Sequence, residues 1–436
     1  KLGSSHDFQV IFNQYSEQIK SLRDNRVERV KEASKTRASS NKSFHLDTAK
    51  LAKFDQGKPY NNLCPKFLDR DENTATGCVA TAMAELLHYY KWPSKTTDKI
   101  PGYITKTRKL IVDAIPANTV IDWPNIIKQY NTYYLDDISG KYIAQELWET
   151  KEQTDAIANL MNITGSSVHM DYNEESLASS DNIPYALKKY MGYESSKLYS
   201  RSSFSNEEWN NKLCYNLENY GPVLYFGHGS DGGHAFLLEG YNFDNDYYYD
   251  INFGWDGLSN CRFLLTVVDE PFVYTEDQTA VLDVKPQTVL EPIDIPLKLT
   301  TTGIEATDTY IFSRSEETNQ FENVKLWTKL RNISPVNSYF NYGFRIFPYN
   351  DLDNPVKDIV FREKTWMASM GKNGRKGEDI SVENDDYNDG LVYTFSIGDD
   401  VEDGVYNIYG ISKQSESTEW LLNDSINGNR FVAAVI

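Results

Sequence analysis

Cysteine is scarce in this sequence, and its four cysteines, Cys64, Cys78, Cys214 and Cys261, lie far apart in a chain of 436 residues. So few cysteines in so long a chain do not make a disulfide framework. The sequence also lacks a Cys-x-x-Cys pair and any spacing of Cys and His that is typical of a zinc site. We therefore expect neither a metal nor an organic cofactor.

Long apolar runs are also lacking. Hydrophobic residues make up 40% of the chain, and no apolar run approaches 18 residues, so we expect a globular protein without a transmembrane segment. The net charge of −19 argues against nucleic acid or an anionic membrane as the main partner. Positive charge is concentrated in residues 1–50, which carry ten Lys and Arg against six Asp and Glu.

That basic N-terminal arm, residues 1–50, has two parts. Residues 7–32 place Phe and other apolar side chains on one face of a predicted helix, with charged residues opposite. Residues 33–50 are rich in Ser, Lys and Asn and are predicted to be a linker that proteases cut easily.

Residues 51–286 are expected to form one α+β domain, because helical patterns come first and strand patterns follow. The predicted helices are one that starts at Cys78 and ends near Pro93, and two over residues 143–162 and 183–191. The predicted strands lie at residues 222–226, 235–241, 247–252 and 263–268.

The rest of the chain differs in pattern. Residues 287–296 contain two prolines and are predicted to be a linker. Residues 297–436 are expected to form an all-β sandwich, since short strand patterns alternate with Asn, Asp and Gly turns. The predicted strands lie at residues 324–330, 342–347, 391–397, 405–412 and 430–436.

Cys78 is the most informative residue. It follows a run of small residues and precedes apolar residues at helical spacing, which places it at a predicted helix N-terminus. The helix dipole there favours a thiolate, the form of cysteine that acts as a nucleophile. A small cysteine packed at a helix start is the structural alternative. We favour the nucleophile because Gly77 lets the backbone approach closely.

A cysteine nucleophile needs a base, and His234 is the best placed of the six histidines. It follows Gly232 and Gly233, which leave its surroundings open, and it begins an apolar strand pattern. A histidine at a strand start suits a Cys–His pair, although a lone strand histidine also fits a structural role. His88, inside the helix after Cys78, is expected to face outwards.

Acyl transfer also needs a donor for the developing oxyanion and a group that orients the imidazole. Gln56, in the segment before the cysteine, could supply a side-chain amide, with the backbone N–H of Cys78 as the second donor. Asn252 follows a predicted strand and could orient His234. Taken alone, the two segments also fit a surface glutamine and an aromatic turn.

These residues converge on a known family. The chain resembles the streptopain family (peptidase family C10), the secreted bacterial cysteine peptidases with a papain-like fold. The matching segments, in the same order, are Gln56–Asn61, Ala75–Ala82, Trp123–Ile127, Met170–Tyr172, Gly232–Phe236 and Asn252–Gly257. Each is weak alone, but six in register over roughly residues 50–286 are specific.

The resemblance implies a role for each site residue. Cys78 would be the nucleophile, His234 the general acid and base, and Gln56 part of the oxyanion hole. Asn252 and the aromatic residues after it would position His234. The residues that would line the substrate cleft are Ser176, Ser179, Ser180, Gly232, Gly233 and Trp255.

One turn departs from the family pattern. The family usually has Asn-Trp-Gly-Trp-Gly-Gly, whereas residues 252–257 here are Asn-Phe-Gly-Trp-Asp-Gly. Phe253 replaces a tryptophan expected to pack near the histidine, and Asp256 adds a charge. Because the ring at position 253 stays apolar, we expect the activity to be tuned rather than lost.

The resemblance also suggests roles for the N-terminal arm and the C-terminal domain of this chain. Family precursors usually carry a longer propeptide than the arm of residues 1–50. The arm is therefore either a partial prosegment, released by cleavage between Lys35 and Lys42, or a helix packed permanently on the enzyme. Related enzymes often append immunoglobulin-like modules, and residues 297–436 are expected to be such a module, for contact with a surface, a glycan or a protein, or for spacing.

The favoured function is a bacterial cysteine endopeptidase, secreted or on the cell surface, that hydrolyses protein or peptide substrates. It would use a thiolate–imidazolium pair and an acyl-enzyme intermediate. The chain starts at Lys1, and no leader is visible in it. Two alternatives stay open. One is a Cys–His amidase of cell-wall peptides. The other is a surface binding protein on an inactive peptidase scaffold, and Phe253 is the sequence feature that favours it.

Overall fold

A computed structural model describes most of the chain. The residues described are 42–135, 142–229, 232–243, 246–265, 274–306, 311–332, 334, 337–349, 351–367, 391–398, 400–425 and 430–435. The helix predicted over residues 7–32 and most of the basic arm lie outside them. The chain divides into two compact units after Ile293.

The described part of the first unit contains four α-helices. They are α1 (Cys78–Tyr90), α2 (Lys151–Ser167), α3 (Ile183–Met191) and α4 (Asn206–Asn219). Capping boxes start two of them, at Thr150 for α2 and at Ser205 for α4. Helix α1 starts after Gly77 without a side-chain cap and ends at Lys91 in the left-handed conformation.

The strands of the first unit build mainly one antiparallel sheet. They are β1 (Lys42–His45), β2 (Tyr103–Ile104), β3 (Ile111–Val112), β4 (Asn131–Leu135), β5 (Tyr142–Glu146), β6 (Tyr193–Ser200), β7 (Val223–Gly229), β8 (Gly232–Phe243), β9 (Tyr247–Asn252), β10 (Cys261–Leu264) and β11 (Glu276–Pro286). The sheet order is β10-β9-β8-β7-β11-β6, with β1 also on β8. Two small hairpins, β2 with β3 and β4 with β5, stand apart from it.

Strand β8 is long enough to have two neighbours along one edge. Its first part pairs with β7, from Gly229↔Gly232 to Val223↔Leu238, and its end pairs with β1, from His45↔Gly240 to Lys42↔Phe243. The linker prediction for residues 33–50 is therefore wrong over Lys42–His45. Four residues of the expected arm are a strand of this sheet, because their backbone groups pair with β8 and the Lys42 ammonium contacts Glu218 at 2.9 Å.

The mixed α and β composition of the first unit was predicted, but some elements were not. The helix expected over residues 143–162 begins too early, because Tyr142–Glu146 pairs with β4 and the capping box at Thr150 starts the helix at Lys151. Helix α4 was missed because its sequence is rich in Asn and has only a short apolar face. Strands β6 and β11 were missed as well.

The described part of the second unit is all β. Its strands are β12 (Thr300–Ala306), β13 (Ile311–Phe312), β14 (Phe321–Arg331), β15 (Ser338–Pro348), β16 (Lys357–Met367), β17 (Leu391–Ile397), β18 (Gly404–Gln414), β19 (Leu421–Leu422), β20 (Asp424–Ser425) and β21 (Arg430–Val435). One sheet has the order β17-β14-β12-β20, and the other β13-β21-β18-β15-β16, with β19 on β18. A single buried cluster takes Val324 and Leu326 from the first sheet and Phe344 and Ile408 from the second.

Among the helices of the described ranges, none has the length and apolar character needed to cross a membrane.

Candidate active site

Cys78 is the first residue of α1, and the residue before it must be glycine. Gly77 has a φ of +87°, which disfavours any residue with a side chain. A Cβ at this position would also lie 2.8 Å from the Met170 sulfur and 2.8 Å from the Ser176 carbonyl oxygen. The turn before Cys78 is thus closed over by the loop that follows α2.

His234 lies on β8 next to the cysteine. Helix α1 packs against β8, and the backbone N–H of Ala235, the residue after His234, helps to lower the pKa of the Cys78 thiol. The imidazole is 8% exposed and is held by a hydrogen bond of 3.0 Å between its Nε2 and the carbonyl oxygen of Phe253. Rings of Trp255 and Tyr274 flank it, with centroids 5.0 and 5.4 Å away.

Burial decides the charge of both groups. It raises the pKa of the Cys78 thiol above its usual range, although the N–H groups of Ala235, Val79 and Cys78 itself oppose the rise. It lowers the pKa of His234 to about 4, with the Phe253 carbonyl opposing. Burial therefore opposes the lowering of the thiol pKa expected at the helix N-terminus, and it favours the neutral forms of both groups.

Gln56 is brought close to the cysteine by its backbone. Its carbonyl oxygen accepts a hydrogen bond of 3.1 Å from the N–H of Thr76, two residues before Cys78. The glutamine is half-buried. Three of the four predicted catalytic residues, Cys78, His234 and Gln56, thus lie on segments that meet at the start of α1.

Asn252 was predicted to orient His234; its described hydrogen bonds run to other groups, and that role stays a prediction. Its side-chain NH₂ donates to the carbonyl of Ala52 at 2.8 Å and to the carboxyls of Glu239 at 2.8 Å and Glu85 at 3.1 Å. Its side-chain oxygen accepts from the N–H of Gly254 at 3.2 Å. These hydrogen bonds hold the turn after β9 against Ala52 and the side chains of Glu85 and Glu239. The imidazole of His234 is bonded by the backbone carbonyl of Phe253.

The two acids that bond Asn252, Glu85 and Glu239, were not predicted from the sequence. Glu85 accepts a hydrogen bond of 2.8 Å from the N–H of Phe54, and it shares the Asn252 amide with Glu239. Burial raises the pKa of Glu85 well above its usual range and that of Glu239 to about 7. Spacing could have pointed to Glu85, which is seven residues after Cys78 and on the same helix face.

His88 also differs from expectation. It is buried rather than facing outwards, and its Nδ1 lies 3.2 Å from the Lys50 carbonyl oxygen. Burial lowers its pKa to about 3, so it is neutral at physiological pH.

The predicted substrate-binding residues lie in three places. Ser176 is buried and donates to the Ala75 carbonyl at 2.7 Å, so its hydroxyl holds the cysteine loop in place. Ser179 and Ser180 are half-buried, and the Ser180 hydroxyl lies 3.5 Å from that of Thr279. Gly232 and Gly233 pair with Gly229 and His228 of β7, and His234 is the next residue in the same register.

Trp255 stacks on Phe253, with ring centroids 5.2 Å apart. It is half-buried and also faces the imidazole of His234, as described above. Within the described ranges, no group of three or more His, Cys, Asp or Glu side chains is arranged to hold a metal ion.

Comparison with known proteins gives a consistent match to the first unit. Residues 54–263 match the model of the peptidase C10 family. Over 260 residues the chain is 32% identical to streptopain from Streptococcus pyogenes, covering 53% of this chain and 60% of that protein. It is also 28% identical over 253 residues to the thiol protease/hemagglutinin PrtT of Porphyromonas gingivalis, covering 56% of this chain and 27% of that protein.

Among solved structures, the active wild-type interpain A cysteine protease of Prevotella intermedia matches with a TM-score of 0.44 and 24% identity. That match covers 55% of this chain and 98% of the other. The chain spans 60% of streptopain, the curated relative named first.

Proposed function

We propose that this chain is a cysteine endopeptidase that hydrolyses proteins through Cys78 and His234, because residues 54–263 match the model of the peptidase C10 family. The observation that carries the proposal is that α1, which begins at Cys78, packs against β8, the strand that carries His234. The first unit would have the papain-like architecture that the sequence resemblance implies.

The imidazole is prepared to act as a base. The Phe253 carbonyl can only accept a hydrogen bond, so Nε2 of His234 carries the proton and Nδ1 keeps a free lone pair. With the pair neutral at rest, Nδ1 takes the thiol proton as the sulfur attacks the substrate carbonyl. A sulfur–carbon bond forms, and the carbonyl π electrons move to oxygen as the oxyanion.

Gln56 and the backbone N–H of Cys78 would donate to that oxyanion. The anchor of Gln56 to Thr76 supports this assignment, because it fixes the glutamine backbone close to the nucleophile. His234 then gives its proton to the leaving amine as the carbon–nitrogen bond breaks. Water, deprotonated by the same imidazole, hydrolyses the thioester and releases the second product.

Hydrolysis of labelled casein under reducing conditions tests the proposal. We expect Cys78→Ala to abolish hydrolysis and a peptidyl epoxide to label only Cys78. Cys261→Ala is the matched control, since Cys261 is also a half-buried cysteine outside any disulfide but lies on β10. Inactivity of the unchanged protein, or persistent activity of Cys78→Ala, would overturn the proposal.

The substrate cleft would be lined by Ser179, Ser180, Gly232, Gly233 and Trp255. Support comes from the position of Trp255 and the glycines next to His234. A Trp255→Ala variant is expected to raise KM for protein substrates more than it lowers kcat.

The N-terminal arm would act as a partial prosegment. Its support is the positive charge of residues 1–50 in a chain of net charge −19. Cleavage between Lys35 and Lys42 would leave β1 in its sheet, since that strand begins at Lys42. Limited trypsin treatment should then raise the activity, and unchanged activity after complete trimming would refute an inhibitory arm.

Export from a bacterial cell and an immunoglobulin-like second unit complete the proposal. Both rest on the sequence resemblance, and the second unit would contact a surface, a glycan or a protein. Pull-down of polysaccharide or host protein by residues 294–436 tests that role.

A further inference from the structure

Glu85 is a buried acid on the helix that carries the nucleophile. It lies seven residues after Cys78, on the same face of α1 and about 10 Å further along the helix axis. It is 2% exposed. None of the steps described above uses its carboxyl, and an acid is rarely buried this deeply unless its oxygens hold other groups in place.

The Glu85 carboxyl joins two segments of the site. Its Oε1 accepts a hydrogen bond of 2.8 Å from the N–H of Phe54, two residues before Gln56. The same oxygen accepts a hydrogen bond of 3.1 Å from the side-chain amide of Asn252. One atom on α1 therefore holds both the segment before the proposed oxyanion donor and the residue that begins the turn at residues 252–257.

Asn252 connects the Glu85 carboxyl to the group that bonds the imidazole. Its side-chain oxygen accepts a hydrogen bond of 3.2 Å from the N–H of Gly254. That N–H and the carbonyl of Phe253 belong to one planar peptide group, so fixing the N–H also fixes the direction of the carbonyl. The same carbonyl oxygen lies 3.0 Å from Nε2 of His234.

A second acid holds the Asn252 amide from the strand of His234. The Glu239 carboxyl accepts from the amide at 2.8 Å. The pairing of β8 with β9 shifts register just before Gly240, which makes Glu239 the extra residue of a β-bulge. A bulge redirects a side chain, and this one brings the Glu239 carboxyl to the amide. With the Ala52 carbonyl at 2.8 Å as a third acceptor, the amide is fixed from three sides.

Glu85 is the neutral acid in this arrangement. Its Oε2 is buried and has no hydrogen-bond partner among the described residues, and a negative charge on such an oxygen is costly. Burial, and to a lesser extent the Glu239 carboxyl, raise the pKa of Glu85 well above its usual range. A glutamine can therefore replace it, because the amide oxygen accepts the same two hydrogen bonds.

We propose that Glu85 is a positioning residue for the peptidase reaction. Its carboxyl holds Asn252, and through it the Phe253 carbonyl, from the helix that carries the nucleophile. This contact fixes the direction in which His234 presents Nδ1 to the Cys78 thiol. The inference rests on the proposed peptidase function.

Casein hydrolysis by three variants at pH 7 tests the role. Glu85→Ala removes both hydrogen bonds, and kcat should fall about 10–100-fold with KM within about twofold, because a misdirected base slows the chemical step. Glu85→Gln keeps the acceptor and should retain kcat within about threefold. Glu85→Asp withdraws the carboxyl by one methylene and should be slow like Glu85→Ala, so it decides the question if the alanine variant does not fold.

Nuclear magnetic resonance of protein labelled with nitrogen-15 histidine separates positioning from stability. In the unchanged protein, His234 should give the ring-nitrogen signals of the Nε2–H tautomer, identified by their loss in His234→Ala. Glu85→Ala should give averaged signals of two exchanging tautomers. Asn210→Ala is the matched control, since Asn210 is 4% exposed on α4 and accepts from the Tyr249 hydroxyl at 2.6 Å. It should lose stability and keep both kcat and the tautomer.

A folded Glu85→Ala variant that is less stable but keeps kcat and the Nε2–H tautomer would overturn the positioning role and leave the peptidase intact. A glutamine variant as slow as the alanine variant would do the same. Absence of casein hydrolysis in the unchanged protein, with the Nε2–H tautomer in place, would instead overturn the peptidase, and the role of Glu85 with it.

Discussion

The carbonyl oxygen of Phe253 accepts a hydrogen bond of 3.0 Å from Nε2 of His234. A backbone group, not a side chain, thus sets the tautomer and the direction of the imidazole. A substitution of the Phe253 side chain leaves this bond in place, which explains how the chain can depart from the family's tryptophan here. What the ring at position 253 does affect is the stacking with Trp255.

The loss of activity at low pH should follow the protonation of the His234 imidazole. Burial lowers its pKa to about 4, and the imidazole must be neutral to take the thiol proton. Activity is therefore expected to hold as pH falls through 6 and to be lost as pH falls through about 4. The kcat/KM profile on casein, between pH 3 and 7, measures it. An acid limb near the ordinary histidine pKa of about 6.5 would contradict the buried, neutral imidazole.

Gln56→Ala should lower kcat by about 10²–10³-fold, because one donor to the oxyanion is lost. KM should change little, since the donor acts mainly in the transition state. The internal control is the alkylation rate of Cys78, which is expected to stay within about twofold of the unchanged protein. A matching loss of alkylation would show that the variant had damaged the Cys–His pair instead.

Asn252→Ala should destabilise the protein by about 2–3 kcal/mol, because the carboxyls of Glu85 and Glu239 lose a buried donor. Urea unfolding at pH 7 measures this. Asn219→Ala is the matched control, as Asn219 lies exposed at the end of α4 and is expected to change stability by less than about 0.5 kcal/mol. A normal stability combined with a shifted acid limb would support Asn252 as the group that orients His234.

Glu239 makes stability depend on pH. Its pKa is raised to about 7 in the folded protein, so between about 4.5 and 7 the folded state binds more protons than the unfolded chain. Stability from this group is complete below that window and is lost as pH rises through it, by at most about 3 kcal/mol.

Glu239→Gln should remove this dependence, since a glutamine oxygen still accepts from Asn252. Urea unfolding of both proteins at pH 5 and pH 8 shows the difference, with the exposed Glu207→Gln as control. Parallel pH dependences in the Glu239→Gln variant and the unchanged protein would argue against a raised pKa.

Sequence patterns predicted the two elements that carry Cys78 and His234. Small residues followed by a helical period located α1, and the apolar run after the glycines located β8, because both signals are local. Helix α3 and five of the ten strands described in the second unit, β14, β15, β17, β18 and β21, were found in the same way. Segments whose structure depends on distant partners were misread, as β5 was when its pairing with β4 overrode a helical pattern.

The buried acids could not be predicted from one sequence. Glu85, Glu239 and Asp256 look like solvated residues until the turn at residues 252–257 is folded onto α1. Asn252 was predicted as a residue of the site, but its partners are carboxyls that the pattern gave no reason to place there. Roles that depend on which polar groups share a buried layer require the three-dimensional structure.

The pairing of Lys42–His45 with the end of β8 also sets a limit on truncation. A recombinant fragment that starts at Leu46 would leave the backbone groups of Gly240–Phe243 without partners along one edge. An unprotected edge of this kind recruits strands from other molecules. Such a fragment is therefore expected to self-associate, whereas one that starts at Lys42 keeps its own strand in place and stays monodisperse at the same concentration.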